Sequence, residues 1–148
     1  MIRNILKNYD EAVIVVGSAE ESISNENPFT AGERVEMIRR CLTDSLDRVI
    51  IIPVRDINNN SLWVPHLLSY LPRFDAVYSN NELVKILFSR YGIPIKTIKF
   101  HERKKHEGKS IRKQMLKGNI WKKHIPKPAS DFIEEIKGVE RIRRIARI

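Results

Sequence analysis

Two continuous apolar runs, Ala12–Gly17 (AVIVVG) and Val49–Val54 (VIIIPV), constrain the fold more than any other feature of the chain. Neither alternates apolar with polar residues, so neither reads as a strand with one wet face. Strands of this kind are buried on both faces, as they are where helices cover a parallel sheet. Two weaker runs also read as strands, Asp75–Ser79 (DAVYS) and Ile95–Ile98 (IKTI). Helical spacing fills the intervals at Ile2–Asn8, Ala31–Leu42, Leu62–Leu71 and Glu82–Tyr91. Three more helical segments follow, at Ser110–Leu116, Ala129–Ile136 and Val139–Ala146. Strands alternating with helices define an α/β chain with a parallel sheet. A length of 148 residues fits one domain, 1–148, and a hydrophobic share of 42% supports a real core.

The start of the chain breaks the alternation. A helix, MIRNILKNYDE, runs directly into AVIVVG. In a parallel sheet such a helix is normally the crossover from a preceding strand, and here no strand precedes it. Either the helix packs as a cap, or a strand is missing in front of Met1.

Charge narrows the class of partner. The formal net charge is +9, which favours anions such as phosphorylated small molecules or nucleic acid. Much of the excess lies in Lys99–Lys127. No aromatic-interleaved recognition motif accompanies it, so nucleic acid is not the expected partner. No apolar run is long enough for a membrane span. Cys41 is the single cysteine, so disulfides cannot shape the fold, and a reducing cytoplasm is expected. His66, His101, His106 and His124 show no metal-ligand spacing, and no metal ligands are expected in the chain.

Two stretches have the chemistry of an anion site. In NPFTAGER, Thr30 and Glu33 stand three apart as a capping box, which starts a helix at Ala31. The free N–H groups and positive dipole end of that helix attract an anion, and Arg34 adds a forked donor. A cation is otherwise disfavoured in a first turn. The plain alternative is a surface arginine paired with Glu36 or Glu20. In EGKSIRKQM, Gly108, Lys109, Ser110 and Arg112 crowd another helix start, again a phosphate cradle or else a basic turn. Gly17 and Ser18 end the first strand, where ligands approach open α/β sheets. RDINNNSLW follows the second strand, with Asp56, Asn60 and Trp63 offering carboxylate, amide and indole to a flat polar ring. Core packing of Trp63, and a turn-forming role for Asp56 and the Asn run, remain open beside that reading. Ser79, Asn80 and Asn81 follow the third strand, as helix caps or as ligand contacts.

Taken together, GSAEES…ENPFTAGER, IPVRDINNNSLWVPH, FDAVYSNNELV…LF, IRKQML and IKGVERI resemble the archaeal nicotinamide mononucleotide adenylyltransferases over nearly the whole chain. The resemblance implies a Rossmann-like, doubly wound parallel sheet of the nucleotidyltransferase type with C-terminal helices. It implies transfer of an adenylyl group from ATP, with Mg²⁺, to nicotinamide mononucleotide, giving NAD and pyrophosphate. Arg34 and Arg112 are then expected on the ATP phosphates. Gly17, Ser18, Lys109 and Ser110 are expected along the nucleotide. Asp56, Asn60 and Trp63 are expected on the nicotinamide nucleotide, with the indole stacked on its ring. A homo-oligomer, a hexamer by analogy, is expected as well.

The chain departs from the pattern in three places. The family's first strand and its G-R-F-Q-P-F-H-x-G-H stretch are absent, which would open the middle of the sheet. In Gly108–Arg112 the hydroxyl has moved one place, and Lys109 stands where threonine is usual. Asn80-Asn81-Glu82 replaces the usual G-N-P. Two other readings stay open on these grounds. One is an adenylyltransferase with another acceptor; the other is a non-catalytic relative that binds nucleotide or nucleic acid.

Overall fold

The computed structural model describes residues 1–99 and 107–148. His101 and His106 lie outside the described residues. The chain begins with α1 (Ile2–Ile5), β1 (Ala12–Val16), α2 (Ala31–Cys41) and β2 (Val49–Pro53). It continues with α3 (Asn60–Leu68), β3 (Val77–Tyr78), α4 (Glu82–Ser89) and β4 (Ile95–Lys96). Three helices close it: α5 (Gly108–Lys117), α6 (Lys127–Glu135) and α7 (Gly138–Ile145). The result is an α/β architecture with parallel strands, as the alternation predicts.

The strands pair two by two. β1 runs parallel to β2, in register from Ala12 opposite Val49 to Val16 opposite Pro53. β3 runs parallel to β4, with Val77 opposite Ile95 and Tyr78 opposite Lys96. Among the described residues no strand joins the pairs, so the expected single sheet is present as two small ones. Tyr9, in the turn before β1, reaches across to the second pair. Its ring meets Tyr78 edge-on at 6.1 Å, and its hydroxyl takes a 2.6 Å hydrogen bond from Lys96 Nζ.

Several boundaries differ from the expectations for local reasons. α3 starts at Asn60 rather than Leu62, because the Asn59 side chain accepts the Ser61 N–H and caps the helix. β3 and β4 are two residues each, shorter than expected. The Asn80 side chain continues their pairing, donating to the Ile98 carbonyl at 2.6 Å and accepting its N–H at 2.8 Å. Asn81 accepts the Leu83 N–H and so caps α4.

Two hydrophobic cores result. The first is helical, with Phe29, Ile111, Met115, Trp121, Ile133 and Ile142 buried together and Met37 and Val139 packed against them. Val139, Ile142 and Ile145, each three residues from the next, thus form the inward face of α7. The second core lies between strands and helices: Val54, Val64, Leu67, Leu87 and Phe88, with Trp63 at its margin.

Candidate functional site

The carboxyl ends of β1 and β2 lie side by side because the strands are parallel and in register. Both following loops therefore emerge at the same edge, where open α/β sheets take ligands. Residues 17–21 and 55–58 form these loops. They are joined at the base by the Ala19 N–H donating to the Val54 carbonyl at 3.1 Å. Ser18 sits at φ 46° and Asn58 at φ 50°, so each loop turns sharply through a left-handed residue.

α2 starts beside the first loop. Its capping box forms as the spacing predicts: Glu33 N–H donates to Thr30 Oγ1 at 3.1 Å, and Thr30 N–H donates to Glu33 Oε2 at 2.9 Å. The same carboxylate takes a second load. Arg141 of α7 grips it through both terminal nitrogens, at 2.6 and 2.8 Å, and also donates to the Pro28 carbonyl. Hydrogen bonding to Arg141 holds the Glu33 carboxyl below its ordinary value, and the same bond raises the Arg141 guanidinium. The α2 start is thereby tied to the C-terminal helix.

Arg34 pairs with neither Glu36 nor Glu20. Glu36 is engaged by Arg40 and Arg39 within α2. Arg34 instead bends back onto the first loop. Nη1 donates to the Gly17 carbonyl at 2.8 Å, and Nη2 donates to those of Ser18 at 2.8 Å and Glu21 at 3.2 Å. The guanidinium thus sits at the end of β1, beside the capped helix start, which puts positive charge at the candidate anion position.

The second loop is held from three directions. Asp56 Oδ1 accepts the N–H groups of Ile57 and Asn58, an Asx turn of the kind its sequence context allows. His66, in the last turn of α3, lies 2.9 Å from the Arg55 carbonyl through Nε2. A carbonyl only accepts, so Nε2 carries the proton. Glu20, from the first loop, accepts the Asp56 N–H with both carboxylate oxygens, at 2.9 and 3.1 Å. Asn60 opens α3 and is exposed. Trp63 is half-buried, its ring edge-on to Phe88 at 5.9 Å. Core packing and partial exposure are therefore both features of this residue.

The basic helix start forms a separate group. Lys109 is exposed, and Ser110 and Arg112 are half-buried. The Arg112 guanidinium lies back over the first turn of α5: a methyl group on Gly108 would stand 3.0 Å from its Nη1. Ser110 Oγ accepts from Gln114 Nε2 at 3.2 Å, and Gln114 Oε1 faces His124 Nδ1 at 2.7 Å. Packing ties this group to the α2 start. Phe29, next to the cap Thr30, and Ile111, in the first turn of α5, share the helical core.

The structure thus gathers Gly17, Ser18, Arg34, Asp56, Asn60 and Trp63 around two adjoining loops, and sets Lys109, Ser110 and Arg112 on a helix start beyond α2. Sequence reasoning missed the holding residues Glu20, His66 and Arg141. Their partners are backbone groups or distant side chains, which no local pattern marks.

A parallel α/β edge lined by backbone turns, a capped helix start and Arg34 is the kind of edge at which α/β folds bind nucleotides. The chain belongs to the cytidylyltransferase-like family, which residues 1–114 match. Within it, the chain stands among the nicotinamide-nucleotide adenylyltransferases. It is 45% identical over 152 residues to that protein from Archaeoglobus fulgidus, covering 99% of this chain and 87% of the relative. The protein of the same name from Methanolobus tindarius is 43% identical over 147 residues, covering 99% and 85%. That from Methanoculleus marisnigri is 45% identical over 146 residues, covering 99% and 87%. No described helix is long and apolar enough to cross a membrane.

Proposed function

We propose that the chain is a nicotinamide-nucleotide adenylyltransferase of NAD biosynthesis, acting in the cytoplasm and assembled as a homo-oligomer like its family. The observation that carries the reading is the joining of the two loops: Gly17 and Ser18 on one, Asp56 on the other, with Arg34 and the capped start of α2 beside them. The relatives' shared name supplies the reaction.

In this reading the phosphate of nicotinamide mononucleotide attacks the α-phosphorus of ATP. A new phosphoanhydride bond forms, the α–β bond breaks, and pyrophosphate leaves with the electron pair. No covalent bond to the protein is required. The protein has to hold two anions in line and offset the charge that builds on the leaving group. The starts of α2 and α5 point N–H groups at phosphate, and Arg34 and Arg112 supply charge there. Mg²⁺ would enter on the triphosphate of its substrate, where it would neutralise phosphate charge. Trp63 stacks its indole on the nicotinamide ring, while Asp56 and Asn60 bind polar atoms of the same nucleotide.

The test is calorimetric titration with nicotinamide mononucleotide. Trp63→Leu keeps apolar bulk against Phe88 and removes the stacking face. It should weaken binding about tenfold or more, since base-aromatic stacking contributes about 1–3 kcal/mol. Wild-type protein that binds neither this nucleotide nor ATP would sink the reading.

A further inference from the structure

We propose that Glu20 is a positioning residue for the acceptor half of the site. Its carboxylate holds Asp56, and so fixes the polar contacts to the nicotinamide nucleotide; the inference rests on the reading that Asp56 faces that nucleotide.

Glu20 is exposed, and no ion pair to it occurs among the described residues. Both of its oxygens converge on one backbone N–H, that of Asp56, 36 residues away. An exposed hydrogen bond contributes little to global stability. What this one does is geometric. The loop that carries Glu20 is itself fixed on both sides. Arg34 holds the carbonyls of Gly17, Ser18 and Glu21, and Glu21 Oε2 accepts from Asn27 Nδ2 at 2.6 Å. A rigid first loop therefore reaches across and sets the second.

The two acceptor-side elements are anchored independently. Trp63 and α3 are placed by the strand-helix core through Phe88, Val64 and Leu67. Asp56 stands outside that core, half-buried, with its Oδ1 spent on the Asx turn. His66 fixes only the preceding carbonyl, that of Arg55. Glu20 is the side chain that fixes the backbone of Asp56 itself. Removing it loosens the Asp56 backbone, and with it the Asx turn that carries the carboxylate, without moving the indole. Ring stacking then survives, and the polar share of nucleotide affinity is lost.

A glutamine at position 20 retains one oxygen that accepts the Asp56 N–H, so the positioning role does not require charge. Two substitutions and a cycle separate the outcomes. Nicotinamide mononucleotide and ATP are each titrated into wild type, Glu20→Ala, Glu20→Gln, Asp56→Ala and the Glu20→Ala/Asp56→Ala double variant, with melting temperature as a control. Glu20→Ala should weaken the mononucleotide about tenfold, as expected for a lost hydrogen-bonding contact to a charged group. It should leave ATP affinity and the melting temperature unchanged. Glu20→Gln should return to within about threefold of wild type, a residue of the neutral-for-charged exchange. In the Asp56→Ala background, Glu20→Ala should have no further effect, because it acts through Asp56. Equal weakening of ATP, multiplying effects in the double variant, or Glu20→Ala binding like wild type would each overturn the proposal. Wild-type protein without mononucleotide binding would remove the functional reading and this inference together.

Discussion

The helical half and the strand half of the molecule solve the burial problem differently. In the helical half, α2, α5, α6 and α7 close around Trp121, which has no exposed surface. Its borders are locked by directional contacts: Glu33 with Arg141, and Arg40 with Glu36 and Glu135. In the strand half, the pair β1–β2 leaves apolar side chains partly in solvent. Val15 is 37% exposed and Ile50 39%, although both belong to runs that read as doubly buried. Strand edges without partners leave such residues half-wet. Both halves hold fully buried side chains, Trp121 and Met115 in one and Phe88 and Val64 in the other; what sets the strand half apart is the partly wet pair β1–β2, whose carboxyl ends carry the candidate loops.

Three substitutions put that contrast to work. Trp121→Ala should cost about 3–5 kcal/mol in chemical denaturation, because a closed core cannot relax into the void. Phe88→Ala in the strand half should cost less, since half-buried neighbours such as Trp63 and Val84 can settle into the space. Equal costs would erase the distinction. Gly138→Ala comes next. A methyl group there would stand 2.8 Å from Phe29 Cε1, 2.9 Å from Ile133 Cγ2 and 3.1 Å from the Ile133 carbonyl. The expected loss is about 1–3 kcal/mol from overpacking, read by the shift of the urea midpoint.

Glu33→Gln should have the smallest effect, about 1 kcal/mol at neutral pH, because glutamine keeps the capping acceptor while the charged pair is lost. Its pH dependence has a defined sign. Arg141 lowers the Glu33 carboxyl below its ordinary 4.5. The pair therefore stabilises the fold fully above that value and less as pH falls through the lowered one. Wild type should exceed Glu33→Gln in stability at neutral pH, with the gap closing in acid. A gap that stays constant down to strong acid would show that the charge on Glu33 contributes nothing.

Local patterns were legible where local physics decides. The Thr30–Glu33 box and the Asn81 cap form between residues two or three apart, so sequence spacing contains the whole interaction. The runs AVIVVG and VIIIPV supply β1 and β2 because apolar continuity has few other uses. The lengths of β3 and β4 were not legible, since a ladder ends where its partner ends. The target of Arg34 was not legible either. Its spacing offers a phosphate, an acid on the same helix or a loop, and only the path of residues 17–21 selects the loop. Glu20 and Asp56 lie 36 residues apart, and Glu33 and Arg141 lie 108 apart. No window along the chain holds both members of either pair.

Arg34 has a counterpart. Before β1, Arg48 donates to the carbonyls of Leu6, Tyr9 and Asp10 at 2.7–2.8 Å, so an arginine grips three carbonyls at each end of that strand. Such a grip reads only the main chain. Seen through inherited variation, the grip itself makes no demand on the side chains of the residues it holds, while the arginine cannot be exchanged: a lysine offers no planar fork to three oxygens. The shape of each loop is therefore held by a residue that lies outside it in the chain.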